Sequence, residues 1–145
     1  MDTAMVKRIP GHSFLLDVGH VIVVDYDASI KDLLKEGNYT QVHPEITAKN
    51  FPAKKKGKKE IVVKVIKLSQ RPLFGDRGFE EEMIAIRNNG YEPVNLQELL
   101  TALSYIDYRP SILALGSKID VGDSLMSPFV RKGGNKGNVV GLEEV

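Results

Sequence analysis

The chain has 145 residues, 42% of them hydrophobic and 27% charged, with a formal net charge of +1. That length suffices for one domain, residues 1–145, with a proper core and no staples. The absence of cysteine excludes disulfides, thiol catalysis and thiolate zinc sites, and the near-neutral balance gives no overall pull toward nucleic acid or anionic lipid.

Met1 to Pro10 reads as a poorly ordered entry. It lacks the apolar core of a signal peptide. No apolar run in the chain approaches the roughly 20 residues of a membrane span. A cytoplasmic protein without membrane contact is therefore expected. Ser13 to Val18 and His20 to Tyr26 are strand candidates rich in β-branched residues, with Gly19 as a bulge or kink between them. Asp27 or Ser29 can cap a short helix through Glu36, stopped by Gly37 and Asn38 in the left-handed region. Tyr39 to Val42 is a short extended piece. Pro44 to Pro52 is irregular, anchored by Ile46 and Phe51.

Ala53 to Lys59, AKKKGKK, is the sharpest shift in composition. Glu60 to Leu68 follows as a strand and Ser69 to Gly78 as a loop. Phe79 to Asn89 is a helix with Phe79, Met83 and Ile86 on one face and Glu80 to Glu82 in its first turn. Asn95 and Glu98 form a capping-box pattern ahead of Leu96, Leu99, Leu100 and Leu103, spaced as the buried stripe of a helix. Ser111 to Gly116, SILALG, fits a buried strand. Asp120 to Ser124 is a turn. Leu125 to Val130 and Asn138 to Leu142 are expected as edge strands around a basic loop, Arg131 to Gly137. These elements predict an α+β domain: a mostly antiparallel sheet of four to six strands, packed by two or three short helices.

Gly90 to Ser117 also carries a resemblance. Gly90-Tyr91-Glu92-Pro93-Val94-Asn95-Leu96-Gln97-Glu98-Leu99-Leu100, followed by Ala114-Leu115-Gly116-Ser117, resembles a pattern in a family of uncharacterised small bacterial proteins: Gly-Leu-Arg-Pro-Ala-Thr-Leu-x-Glu-Leu-Leu, then Ala-Leu-Gly-Ser. Val23 to Asp27, Gly37-Asn38-Tyr39 and Ile46 to Pro52 are similar to upstream segments of that family. Glu92 stands where the pattern has Arg and Asn95 where it has Thr. The resemblance implies a shared domain and no particular activity.

Candidate sites are few. Lys54, Lys55, Lys56, Lys58 and Lys59, with Arg131, Lys132 and Lys136, would give a phosphate-contacting footprint for nucleic acid if both loops share a face. No aromatic residues interleave them, which argues against base stacking. Gly133 to Asn138 has the glycines of a phosphate loop but lacks the Gly-Lys-Ser/Thr end. His12, His20 and His43 show no metal-ligand spacing. A small hydrolase or ligand pocket would require His20 and His43 to meet Asp17, Asp25 or Asp27 in space. Ser117 and Ser124 lie at turns with no nucleophile elbow. Tyr91, Tyr105 and Tyr108 flank the Asn95–Tyr105 helix and suit a partner surface. The expectation is a binding or accessory protein, not an enzyme, with no cofactor or metal. It would act through a protein partner, with nucleic acid as the alternative.

Overall fold

The structure, a computed structural model, describes residues 3–11, 19–68, 77–133 and 137–145. The expected strand over 13–18, His12, Asp17, most of the loop after Leu68, the Phe79 side chain and Gly134 to Lys136 lie outside the described residues. Nine strands are β1 (Thr3–Arg8), β2 (His20–Asp25), β3 (Tyr39–Val42), β4 (Lys58–Lys67), β5 (Tyr91–Pro93), β6 (Ile112–Leu113), β7 (Ile119–Val121), β8 (Ser124–Arg131) and β9 (Asn138–Glu144). The helices are α1 (Ile30–Glu36), α2 (Arg77–Asn88) and α3 (Leu96–Tyr105).

The architecture is α+β, but the expectation of a mostly antiparallel sheet of four to six strands is corrected. All nine strands join one mixed sheet, with the path β2-β4-β1-β6-β8-β9-β3 and with β5 and β7 paired to its side. β1 runs parallel to β6, and β3 runs parallel to β9. The cause is the position of α3. β5 pairs antiparallel with the end of β1. The helix then reverses the chain, so β6 returns parallel beside Ala4.

Thr3 to Arg8 corrects the reading of a poorly ordered entry. These residues form a strand in the interior of the sheet, flanked by β4 and by β5 and β6, and four of its six residues are buried. Both faces of β1 are covered. Met5 belongs to the core around α3. Ala4 belongs to a second cluster with Ile66, Leu113 and Phe129, against which Met83 and Ile86 of α2 pack. β8 and β9 are likewise interior strands, not edges. β2 and β3 end the path.

α3 lies inside this sheet. Leu96 to Leu103 are buried without interruption, so the helix is enclosed on every side. It packs on β2 at one end of the sheet and on β8 toward the other, and α1 packs against it as well. A sheet that touches one helix from two distant strands must curve around it. The capping box forms as the sequence predicts: Asn95 Oδ1 accepts from the Glu98 N–H, and Glu98 Oε1 accepts from the Asn95 N–H. At the end of α1 the left-handed residue is Asn38, with φ of 53°, while Gly37 has φ of −84°. Gly37 is needed for space: a Cβ there would collide with the Tyr39 ring.

Candidate functional site

Two features meet at the N-terminal end of α3. The first is a sealed ionic centre. Glu98 is 0% exposed. Its Oε2 accepts from Lys7 Nζ and from the Tyr26 hydroxyl, each at 2.6 Å. Lys7 also lies 3.7 Å from Glu92. Lys7 reaches inward because it shares the face of Met5 in β1, opposite the buried Val63 of β4. Burial, reinforced by the hydrogen bond and charge of Glu98, pushes the Tyr26 phenol well above its usual range. The exposed Lys55 ammonium stands 5.6 Å from the Tyr26 ring centroid. Burial and the neighbouring Lys7 charge lower its pKa, with Glu98 and Glu92 pulling the other way.

This centre joins α3 to β1 and to the end of β2. Both carboxylate oxygens are engaged, and the three side chains are closed to solvent. Such a network fixes a unique arrangement of its elements when every member is satisfied. Gln97 makes a second tie, donating its amide to the carbonyls of Tyr26 and Ala28.

The second feature is an open cavity of about 370 Å3 beside the first turn of α3. Its charged lining is Lys49, Lys54 and Lys118, and no Asp or Glu contributes to it. Asn95 and Ser117 supply neutral polar groups to the wall. Ser117 Oγ accepts from the Leu96 N–H at 2.9 Å, and Gly116 donates to the Val94 carbonyl. The two halves of the Gly90–Ser117 pattern therefore meet in space. Gly116 is required there by close approach, because a Cβ would stand 2.7 Å from the Pro93 and Val94 carbonyl oxygens.

The residues singled out in the sequence are dispersed. Lys54, Lys55, Lys56, Lys58 and Lys59 are all exposed, and Lys54 is at the N-terminal end of α3. Lys132 is at the other end, donating to the Leu103 carbonyl at 2.7 Å. Lys54 and Lys132 thus stand at opposite ends of a helix about 15 Å long. Arg131 is exposed at the end of β8. In the glycine loop the Gly133 N–H is held by Asn138 Oδ1. Tyr91 is buried, with Lys64 Nζ 4.0 Å from its ring centroid. Tyr108 packs half-buried on the core, and Tyr105 is exposed at the end of α3.

His20 opens β2 and Asp25 closes it, while His43 donates its N–H to Val140 in β9. They do not converge, and the hydrolase reading is set aside. Asp25 accepts from the Asp27 N–H, and Asp27 accepts from the Gly57 N–H, so both carboxylates brace the turn after β2. Among the described residues no cluster of three or more His, Asp or Glu is placed to hold a metal, and no helix is long and apolar enough to cross a membrane.

Sequence reasoning missed the Lys7–Tyr26–Glu98 centre. Its only signal was a lysine alternating in phase with Met5. No family model, no curated protein and no solved structure matches the chain.

Proposed function

We propose that the chain is a cytoplasmic, non-catalytic binding or accessory protein that works through a protein partner. The observation that carries this reading is the apolar surface on the outer side of the sheet. Ile22 and Val24 of β2 face the core, so Val21 and Val23 face outward, and they are 59% and 45% exposed. On the same face Val62 stands opposite Val21, and the exposed Glu60 stands opposite Val23. α2 covers the outer face only farther along, over Ala4 and Ile66. Exposed apolar side chains grouped on one face are the surface feature that association buries. The resemblance to the small bacterial family belongs to the same proposal and adds a shared domain, not an activity.

The test is capture from native lysate with the wild-type chain and a Val21→Asp/Val23→Asp variant, with and without nuclease. The expected result is a discrete protein that survives nuclease and is lost from the variant, whose thermal melting stays cooperative. Equal capture by both chains would overturn the assignment of this face.

The five exposed lysines of Lys54 to Lys59 favour a second reading, nucleic-acid contact. It rests on the first basic loop, because Lys132 is at the far end of α3. Steep loss of affinity with salt, abolished by charge reversal at Lys54 to Lys59, would support it.

A further inference from the structure

We propose that the lysine-lined cavity binds a hydroxylated organic phosphate, a phosphate monoester carried on a small polar body. Its volume of about 370 Å3 falls in the range of small-molecule sites, roughly 300–1,000 Å3. Lys49, Lys54 and Lys118 gather there, exposed, and none has an ion pair among the described residues. Three like charges around one cavity repel each other, and a bound anion relieves that repulsion.

The neutral groups point to the same ligand. Asn95 uses Oδ1 on the Glu98 N–H, which leaves its amide N–H2 to donate. Ser117 Oγ accepts from the Leu96 N–H, which leaves its O–H to donate. Of the N–H groups in the first turn, those of Leu96 and Glu98 are already bonded, so the charge that meets the anion comes from the lysines.

Charge selects the anion. A phosphate monoester carries about −1.5 to −2 near pH 7 and so engages several ammonium groups at once, whereas one carboxylate would leave most of that charge unpaired. The remaining lining selects an organic body. Ile30, Phe51 and Leu96 contribute apolar wall that an inorganic ion cannot use. Gln97 is 6% exposed. With its N–H2 on the Tyr26 and Ala28 carbonyls, its Oε1 is left as an acceptor for a ligand hydroxyl.

The experiment is calorimetric titration of the full chain with ribose 5-phosphate, inorganic phosphate, succinate and a short oligonucleotide. Saturable binding of ribose 5-phosphate, tighter than that of the other three, is expected. Lys49→Gln and Lys118→Gln should each weaken it about tenfold, the loss of one charge-assisted contact, with thermal melting unchanged. No saturable binding, or binding indifferent to both substitutions, would overturn the site. Equal affinity for inorganic phosphate would overturn the organic body, and succinate binding as tightly would overturn the choice of phosphate. Tighter binding of the oligonucleotide would overturn the small-molecule assignment. None of these outcomes depends on the outer-face valines.

Discussion

A carboxylate removed from water is costly unless its lone pairs are filled, and Glu98 fills them from three directions. Its removal should therefore cost more than a lost helix cap. Glu98→Ala leaves the buried Lys7 ammonium with only the longer 3.7 Å contact to Glu92 and the Tyr26 hydroxyl without its acceptor. A loss of about 3–5 kcal/mol in denaturant unfolding is expected; a loss no larger than the ~1 kcal/mol of a cap would mean that the centre is poorly coupled. The tyrosines add a pH dependence. Burial pushes the Tyr39 phenol up from its ordinary 10.0 to about 12, and Tyr26 is shifted the same way. Between pH 10 and 12 the unfolded chain releases these protons and the folded chain keeps them, so stability is full below pH 10 and falls as pH rises through that window. Urea midpoints taken across the window should decline, and Tyr39→Phe should flatten part of the decline.

At the scale of elements, α3 was readable because its signals are local. Asn95, Glu98 and the leucine stripe need only about two turns of context, and the helix, its cap and its capping box form as read. β1 was unreadable for the opposite reason. Its identity as a strand comes from neighbours more than fifty residues away, Val63 to Lys67 of β4, and a lysine at an inward position disguised its alternation. The stop of α1 falls where the sequence reads it, with Asn38 of the two expected residues in the left-handed region and Gly37 outside it. The contact between Gly116 and the Pro93–Val94 backbone ties β6 to the entry of α3. Gly116→Ala sets a Cβ against backbone oxygens that cannot rotate away. A destabilisation of about 1–3 kcal/mol is expected in thermal or chemical unfolding, where an alanine at an ordinary exposed turn would be near neutral.

For the molecule as a whole, the sequence marked β2, β3, β4, β6, β8 and β9, missed β1, β5 and β7, and could not order any of them. The cavity was equally hidden. Lys49, Lys54 and Lys118 are separated in the chain, and only the meeting of the 46–54 segment, the start of α3 and the turn after Leu115 gathers them. The enclosed helix commits Glu98 and the Gln97 amide N–H2 to the fold, and the proposed binding is assigned to the outer valines and the lysine cavity. Native-state hydrogen exchange tests that division most directly. The amides of Leu99 to Leu103 should be the slowest in the protein, exchanging only by global unfolding, with α1 opening earlier. Exchange in α3 as fast as in α1 would contradict a fold built around a closed helix.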